Sequence, residues 1–588
     1  MGRLSRPTDQ RGANAKPKGL PGQETAAGQV GSSRRRWAIA LAVFLALLGV
    51  YHLNCDFFQM SNDAMPNLHL PVTLLKEGNL SFTPDEMPFM FVWTLETPGG
   101  PLPRTFWRWD EKFQGRTFAG LRRAGLLSLA DHRYYVVPSV RTDRATGQRL
   151  YVNTFGPGAG LVALPLFAAL EAIAGDLARN TRLMYCAGKF VAAVMVAGSA
   201  ALIFLTVARF TSAVRALLVA AAYGLGTCVW SVSSQMLWQH GPNEFFLALG
   251  TLFLLRMGRR EGRWRDAAFC GLAYSAAVVC RPTSVVVAAA AAAYLLIAAR
   301  RLLLPYVVAA LPLGLALGAY NTYYLGSPLK TGQGEAGRRV AEQKTGSQAL
   351  WQTPLVEGAA GLMVSPSRGL LVFSPWVVFA FGGAVAAWRR RSAFAPLMAL
   401  GVALVVLLVI AFKWFDWWGG WCFGYRPIVD TMPLLAVMLI PAIDWVCRRR
   451  ALAAAFLVLL AWSATVQVLG AWAYNIETWN AGGALVPRAG TGVRAQRLKT
   501  WNAPMLGYEV YLAGKAEPEI AADEDEVERI AATRPVDEYR PRVADIDIPE
   551  YRYRLWSLRD NQIRHLLTDF AESRRVRHQE MEAWLASP

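Results

Sequence analysis

Long apolar runs divided by short basic stretches constrain this chain more than any other feature. A helix needs about 20 apolar residues to cross the roughly 30 Å hydrocarbon layer of a bilayer. The runs nearest to that length are 37–53, 183–206, 214–232, 242–257, 266–280, 284–299, 302–320, 369–388, 393–412, 428–447 and 451–473. They predict an all-α polytopic membrane protein with about eleven transmembrane helices, within a range of about ten to thirteen.

Composition adds two exclusions. Hydrophobic residues make up 54% of the chain and charged residues only 18%, which excludes an ordinary soluble enzyme. The seven cysteines are odd in number and lack paired spacing, which excludes a disulfide framework or a zinc site.

Basic clusters between the runs predict their orientation, because Lys and Arg in short loops are retained on the cytoplasmic side. The clusters are 34–36, Arg209 with Arg215, 256–265, 300–301, 389–391 and 448–450. If each run crosses once, all of them face the cytoplasm, with the N-terminus inside and the C-terminus outside. Span orientation then explains most of the net charge of +19, and no nucleic-acid partner is predicted.

A further apolar run, 158–174, spoils this alternation if it crosses the membrane, since it moves the 256–265 cluster outside. The run is short and contains Pro165, which suits a helix lying on or dipping into the outer surface. We therefore expect an interfacial helix, with a crossing helix as the alternative.

Local features complete the predicted division of the chain into five regions. No small-residue cleavage site follows the first run, which is typical of a retained signal anchor. The aromatic-rich loop 413–427 should place five rings at the lipid headgroups, namely Trp414, Phe415, Trp417, Trp418 and Trp421, and residues 563–584 have helical patterning. The regions are a disordered basic cytoplasmic arm (1–36), the first transmembrane helix (37–53), a first extracytoplasmic loop with surface helices (54–182), the transmembrane bundle (183–473) and a C-terminal extracytoplasmic tail domain (474–588).

Three cations at the outer ends of predicted spans are candidates for binding an anion. Ionisable groups inside a membrane segment are costly and commonly mark a ligand or a pathway. Lys189 lies six residues into its run, where the alternative is an amine that snorkels outward. Arg281 precedes Pro282 between two runs, where the alternative is a lipid headgroup contact, and Arg426 repeats the arrangement. Together they could hold a phosphate.

Carboxylates on the first outer loop are the second set of candidates. Asp63 stands in SNDAMPN, ten residues after the first run, where it could accept a proton from a hydroxyl nucleophile. The alternative is a turn, which Asn-Asp followed by Pro also favours. Asp85 and Glu86 are more typical of a turn or a helix start, with substrate contact as the functional alternative.

Glu244 and Asp430 are weaker candidates for substrate contact. Glu244 opens a run beside His240, where the helix dipole by itself favours a carboxylate. Asp430 could instead form an ion pair with Arg426, four residues earlier.

An ordered set of segments resembles the GT-C class of integral membrane glycosyltransferases, which includes protein mannosyltransferases and the aminoarabinose transferases of lipid A. The resemblance covers roughly residues 37–473 and rests on a first span followed by an acidic residue. The segments are SNDAMPN, YVNTFGPGAGLVALPLF, RPTS, YNTYYLGSPLKTG, SPSRGLLVFSP and WWGGWCFGYRPIVDTMPLL.

The resemblance implies a bacterial enzyme whose donor is a polyprenyl-phosphate-linked sugar, held by membrane lipids at the outer face. Asp63 would be the general base for an acceptor hydroxyl, which attacks the anomeric carbon in one inverting displacement. Lys189, Arg281, Arg426 and His240 would stabilise the charge that develops on the leaving phosphate. The acceptor is left open between a lipid, a glycan and a protein.

Two features depart from the class. Many members carry paired acidic residues after the first span, whereas Asn62 precedes Asp63 here. A site for Mg²⁺ or Mn²⁺ is thereby left open, because hard divalent ions use several oxygen ligands. The tail is the second departure, and we assign it acceptor recognition as a hypothesis.

Two other functions remain as alternatives. A transporter or flippase of lipid-linked sugars would place polar groups at mid-membrane and would commonly show internal repeats. A non-catalytic assembly protein would use the outer tail. On the favoured interpretation the chain is a multi-pass protein of the plasma (inner) membrane whose active site faces the periplasm or exterior.

Overall fold

The computed structural model describes residues 26–54, 62–97, 100–104, 118, 121–144, 146–258, 263–390, 394–474, 479–480, 546, 549–571, 573–575 and 577–578. Most of this part of the chain is helical. Its helices are α1 (Ala26–His52), α2 (Met65–Glu77), α3 (Gly158–Ala174), α4 (Thr181–Val207), α5 (Ala213–Leu225), α6 (His240–Met257), α7 (Trp264–Cys280), α8 (Val285–Ala298), α9 (Leu303–Leu325), α10 (Gly332–Thr345), α11 (Leu355–Val364), α12 (Leu370–Phe373), α13 (Val377–Arg389), α14 (Ala395–Lys413), α15 (Met432–Met438), α16 (Ile443–Arg448), α17 (Arg450–Ala473) and α18 (Gln562–Thr568).

Each predicted apolar run overlaps one or more of these helices. Five helices are long and apolar enough to cross a membrane within the described residues, which makes the chain a multi-pass membrane protein. They include Ser33–His52, Arg182–Val207, Arg300–Leu325, Ala395–Lys413 and Arg450–Ala473.

Three of the predicted runs are broken rather than continuous, and one of them, 214–232, is divided between α5 and a π-helical turn, Val229–Ser233. The run 369–388 forms α12 and α13, which are separated at Ser374 and Pro375. The run 428–447 begins in a 3-10 turn, Arg426–Thr431, and continues as α15 and α16. A proline supplies no N–H to the helix ladder, and the breaks in 369–388 and 428–447 lie beside a proline or at a turn that a proline opens.

The first outer loop contains β-structure, so the all-α prediction is wrong in this region. Three strands, β1 (Phe91–Thr97), β2 (Gly100–Arg104) and β3 (Leu127–His132), form an antiparallel sheet in the order β2-β1-β3. Strands β4 (Val136–Thr142) and β5 (Arg149–Asn153) form a separate antiparallel pair. Every second residue of β1 is buried, namely Phe91, Trp93 and Leu95. This period of two is a strand signal, which the length of an apolar run does not reveal.

The N-terminal prediction needs a second correction. Helix α1 begins at Ala26, so the last part of the arm expected to be disordered is helical as far as Arg36. The segment AAGQVGSSRRR contains two glycines and two serines, which are weak helix formers, so intrinsic propensity does not account for this extension. Residues 1–25 lie outside the described part of the chain.

Small residues let the helices of the bundle approach closely. A Cβ built on Gly271 of α7 would lie 2.1 Å from the Tyr306 carbonyl oxygen of α9. A Cβ on Gly383 of α13 would lie 1.9 Å from the Met438 carbonyl oxygen at the end of α15. Close backbone contact of this kind replaces the hydrophobic drive that lipid does not supply between helices.

Basic clusters from distant parts of the sequence meet at one end of the bundle. Arg215 Nη1 lies 3.0 Å from Asp444 Oδ1, and the Thr211 hydroxyl donates to the same carboxylate. These contacts bring the Arg209–Arg215 cluster and the 448–450 cluster together. Their location on the cytoplasmic side stays a prediction.

The run 158–174 forms a single helix, α3, that continues through Pro165. It packs against α2 and α4, and its buried residues include Ala163 and Phe167. Whether α3 lies at the interface or crosses the bilayer stays a prediction.

The aromatic loop is packed inside the protein rather than displayed to lipid headgroups. Phe415, Trp417 and Trp418 are at most 7% exposed, so the predicted interfacial position is wrong for these three rings, whereas Trp414 and Trp421 are half-buried. Trp417 lies 5.8 Å from the ring of Trp556 in the C-terminal tail. The described tail residues therefore contact Trp417 and, through Arg552, Trp418. In the predicted tail helix 563–584, the structure has α18 at Gln562–Thr568, and residues 579–588 lie outside the described part.

Candidate active site

An ion pair joins the first outer loop to the aromatic loop. Asp63 lies in a 3-10 turn, Asn62–Ala64, directly before α2. Its Oδ2 accepts a hydrogen bond from Arg426 Nη1 at 2.7 Å, and the two side chains are 16% and 15% exposed. Arg426 Nη2 also donates to the Gly419 carbonyl oxygen at 3.0 Å, and the guanidinium lies 4.8 Å from the ring centroid of Trp238. Arg426 is therefore held on three sides.

The chain that carries Arg426 depends on glycine. We call residues 416–426 the glycine loop. Gly419 and Gly424 have φ values of +72° and +53°, in the left-handed region that other residues rarely adopt. A Cβ on Gly424 would also lie 2.9 Å from Cys228 Sγ. At the start of the loop, the Asp416 carboxylate accepts from Gly420 N at 3.2 Å and from Lys344 Nζ at 2.8 Å.

A second carboxylate, Asp430, lies in a dense polar cluster. Arg281 Nε is 3.0 Å from Asp430 Oδ2, and His240 Nδ1 is 2.9 Å from the same oxygen. Asn243 Nδ2 donates to Asp430 Oδ1 at 2.8 Å, and the Ser284 hydroxyl donates to Asn243 Oδ1 at 2.7 Å. The interpretation that Asp430 pairs with Arg426 is wrong. The 3-10 turn sends the two side chains to different partners, because neither then lies on a regular helix face.

The two groups are neighbours. The rings of Trp238 and His240 have centroids 6.2 Å apart, and His240 belongs to the Asp430 cluster. Because the Arg426 guanidinium also lies against Trp238, this tryptophan contacts both groups. These residues follow a π-helical turn, Val229–Ser233, a distortion often found at functional sites. The structure therefore brings Asp63, Arg426, His240, Arg281 and Asp430 together at one end of the bundle.

Lys189 is buried within an amide network. Its Nζ donates to Asn54 Oδ1 at 2.7 Å, and only 5% of the residue is exposed. Asn54 in turn donates to Gln235 Oε1 and to the Ala471 carbonyl oxygen, each at 2.8 Å. The amine is thus drawn towards the end of α1 and the segment that precedes His240.

Glu244 lies deeper in the bundle. The residue is fully buried, and its Oε1 accepts from the Ser233 hydroxyl at 2.7 Å. Its backbone neighbour, Asn243, belongs to the Asp430 cluster. Glu244 therefore adjoins the Asp430 cluster through its neighbour in the chain.

The contacts of Asp85 and Glu86 lie in the outer loop region. Asp85 Oδ1 accepts from Arg122 Nε at 3.1 Å, and its other oxygen accepts from Gln148. Glu86 Oε2 accepts from Thr83 N at 2.8 Å, while Glu86 N donates to the Thr83 hydroxyl at 3.3 Å. This reciprocal arrangement is the turn chemistry that the sequence offered as an alternative to substrate contact.

Sequence reasoning gave no role to two asparagines that connect the site. Asn153 Nδ2 donates to Asn67 Oδ1 at 2.7 Å, and Asn67 Nδ2 donates to the Leu237 carbonyl oxygen at 3.0 Å. They tie β5 to α2 and to the residue before Trp238. Asn153 lies in YVNTFGPG, one of the segments that carry the family resemblance, and this was the sequence signal that could have identified it.

A crevice opens beside Arg281. It is small, with a volume of about 20 Å³, and lies between the β5 end, α7 and α9. The lining residues include Asn153, Phe155, Gly156, Val279, Pro282, Leu317, Tyr320, Asn321, Thr331 and Gln333. Three of the segments that carry the resemblance, YVNTFGPG, RPTS and YNTYYLGSPLKTG, thus border one space.

Tyr134 is a further residue that sequence reasoning missed. It stands between β3 and β4, and burial together with the negative charge of Asp63 raises the pKa of its hydroxyl well above the usual range. The phenol is therefore neutral at any physiological pH and lies within electrostatic range of Asp63. The described residues contain no group of three or more His, Cys, Asp or Glu side chains arranged to hold a metal ion.

Comparison with known proteins finds a family model that matches part of this region. Residues 165–324 match the model of the family described as dolichyl-phosphate-mannose-protein mannosyltransferase. The matched part contains Lys189, His240, Glu244 and Arg281, whereas Asp63 and Arg426 lie outside it.

The other comparisons give a more distant picture. No curated protein matches the chain. The chain is similar to the crystal structure of ArnT from Cupriavidus metallidurans bound to undecaprenyl phosphate, with 14% sequence identity and a TM-score of 0.39. The similarity covers 86% of this chain and 76% of that one. A likeness at this TM-score is too distant to carry a residue's role from one chain to the other.

Proposed function

We propose that this protein is a membrane glycosyltransferase that moves a sugar from a polyprenyl-phosphate donor to an acceptor hydroxyl. The proposed setting is the outer face of a bacterial plasma membrane. The match of residues 165–324 to a mannosyltransferase family supports the reaction class. The donor in that family's description is itself a polyprenyl-phosphate sugar, whose chain suits a protein with several membrane-crossing helices.

The Asp63–Arg426 pair is the observation that carries the proposal. The two residues are 363 positions apart in the chain, yet their side chains meet at 2.7 Å beside Trp238. A glycosyl transfer from a lipid phosphate needs a base for the attacking hydroxyl and cations for the departing phosphate. This end of the bundle presents the Asp63 carboxylate with Arg426 and Arg281 in connected contacts, whereas Lys189 is bonded to Asn54.

In the proposed reaction the acceptor oxygen attacks the anomeric carbon of the sugar. The new C–O bond forms as the bond between that carbon and the phosphate oxygen breaks. Asp63 takes the hydroxyl proton, and polyprenyl phosphate leaves with the bonding electron pair. Because attack and departure occur on opposite faces, the anomeric configuration inverts.

Arg281, Arg426 and Lys189 are the proposed phosphate ligands, with His240 assisting. A guanidinium has five N–H donors, so an arginine paired with one carboxylate retains donors for a phosphate. His240 and Asp430 hold Arg281 by direct contact, which fixes the direction of its fork. Asp430 is thus a positioning residue in this proposal, and direct substrate contact by Asp85, Glu86 or Glu244 stays a prediction.

Transfer by the purified full-length protein tests the proposal. The protein in lipid nanodiscs would be given polyprenyl-phosphate sugars and membrane lipid, glycan and peptide acceptors, with release of polyprenyl phosphate measured by mass spectrometry. We expect release with at least one donor, and NMR of the product should show an inverted anomeric centre. Release by Asp63→Asn at the wild-type rate would remove the proposed base.

Asp444→Asn is the matched control, since Asp444 forms its ion pair with Arg215 at the basic end of the bundle. This variant should transfer sugar as the wild type does. If no donor supports release, while the protein moves labelled lipid between leaflets, the flippase alternative replaces the proposal. If the protein binds no polyprenyl phosphate at all, the non-catalytic assembly alternative replaces the proposal.

A further inference from the structure

The described tail residues grip the glycine loop through one glutamine. Gln562, the first residue of α18, is fully buried. Its Oε1 accepts from Gly424 N at 3.0 Å, and its Nε2 donates to the Cys422 carbonyl oxygen at 2.7 Å. One primary amide therefore satisfies a donor and an acceptor of the same turn, two residues before Arg426.

A second set of contacts fixes the tail to the start of the loop. Arg368 is fully buried, and it donates from Nε to the Trp418 carbonyl oxygen at 2.9 Å and from Nη2 to the Gly420 carbonyl oxygen at 3.2 Å. The same Nη2 donates to Asn480 Oδ1 at 3.1 Å. Arg552 also lies 4.3 Å from the ring centroid of Trp418. The loop is thus held from both sides by groups outside it.

Trp479 joins Arg368 to the tail. Its ring has the Arg368 guanidinium at 5.4 Å and the Arg554 guanidinium at 4.7 Å from its ring centroids, both within the range of cation–π attraction. Trp479 Nε1 donates to Asp560 Oδ1 at 3.1 Å, and Arg554 Nε donates to Asp560 Oδ2 at 2.8 Å. The segment 549–571, called here the C-terminal segment, is therefore bonded into the bundle.

We infer that the C-terminal segment is a clamp on the glycine loop, and that Gln562 is a positioning residue that aims Arg426 at the reacting groups. The loop needs such a clamp because glycines at positive φ have the widest choice of backbone conformations when unrestrained. Gln562 holds the loop at Cys422 and Gly424, and Arg426 in turn donates to Gly419 at the other end of the same turn.

The inference rests on the proposed function for its catalytic consequence, but the clamp itself does not. Loss of the Gln562 amide would leave the charge of Arg426 unchanged and release its direction. A displacement of about 1 Å in a positioned group can cost on the order of a hundredfold in rate. We therefore expect a fall in kcat rather than a change in KM for the acceptor.

The test compares Gln562→Ala with Gln562→Glu in the full-length protein in nanodiscs. Glutamate retains the acceptor for Gly424 N but cannot donate to Cys422 while ionised. Hydrogen exchange of the 416–426 amides is measured first. Both variants should exchange faster there than the wild type, and Gln348→Ala, at an exposed glutamine bonded to Glu342, should not. Unchanged exchange in both Gln562 variants would overturn the clamp, whatever the reaction.

Transfer kinetics then test the positioning role. We expect kcat to fall roughly ten- to a hundredfold in Gln562→Ala and less in Gln562→Glu, with the acceptor KM within about twofold of the wild type. Faster loop exchange with an unchanged kcat would overturn the positioning role.

The affinity for polyprenyl phosphate is then compared in a double-mutant cycle. Gln562→Ala should weaken binding when it is made in the wild-type protein, but it should cause no further loss when it is made in the Arg426→Ala variant. Equal losses in both backgrounds would also overturn the positioning role.

Discussion

Two arginine–carboxylate pairs lie side by side in this protein, and they are built differently. Asp430 accepts from Asn243 and contacts both His240 and Arg281 at 2.8–3.0 Å, with its side chain 9% exposed. The Asp63–Arg426 pair joins a one-turn helix to a glycine loop, and its side chains are 16% and 15% exposed. A saturated carboxylate can orient cations but has little room for a substrate. The Asp63–Arg426 pair is the more exposed of the two, so the reacting carboxylate should be Asp63.

Neutralising each carboxylate tests this comparison most strongly. Asp63→Asn should lower kcat by about 10²- to 10⁴-fold, the usual contribution of a general base, with little change in melting temperature. Single-turnover transfer assays and thermal unfolding in nanodiscs measure the two effects. A variant that melts much earlier but transfers normally once folded would assign Asp63 a structural role instead.

Asp430→Asn should show the opposite pattern, because it leaves the largely buried Arg281 and the buried His240 without their shared anion. Removing one partner of a buried ion pair costs about 3–5 kcal/mol. We expect a clear fall in melting temperature and a smaller fall in kcat than for Asp63→Asn. Equal kinetic losses in both variants would break the distinction between the pairs.

Replacing each arginine with lysine sharpens the comparison. Lysine keeps the charge but loses the planar fork that contacts two oxygen atoms at once. Arg281→Lys and Arg426→Lys should each weaken polyprenyl phosphate binding by roughly tenfold, measured by native mass spectrometry. Arg300→Lys, at an exposed arginine bonded to the Leu296 carbonyl oxygen, should bind the lipid as the wild type does.

Acid should lower the stability of the β-region through His132. This is the smallest of the expected effects, and it involves neither of the two arginine–carboxylate pairs. Burial, reinforced by the nearby Arg339 guanidinium, lowers the pKa of His132 from 6.5 to about 4. A lowered histidine pKa means that the unfolded state binds more protons, so stability falls as the pH drops from about 6.5 to about 4. Hydrogen exchange of β3 at pH 7 and 4.5 should show this loss, and His132→Gln should remove it. An unchanged pH response in that variant would assign the loss to other groups.

Much of the bundle could be predicted from sequence, because membrane helices must satisfy their backbone within each segment. Each apolar run found there overlaps helices in the structure. The β-sheet was missed because the alternation of Phe91, Trp93 and Leu95 is a short signal beside long apolar runs. The position of the aromatic loop was predicted wrongly because tryptophan is favoured both at a lipid interface and under a packed segment. Its presence therefore does not distinguish the two environments.

The candidate site could be predicted only as a set of residues. The sequence by itself determined that a carboxylate follows the first span, that cations stand at span ends and that glycines interrupt the aromatic loop. Tertiary structure alone decided that Arg426 meets Asp63, that Asp430 belongs with Arg281, and that Gln562 holds the glycine loop. The physical reason is that these partners are between 138 and 363 residues apart. Such contacts follow from how the helices pack, and local periodicity contains no information about that packing.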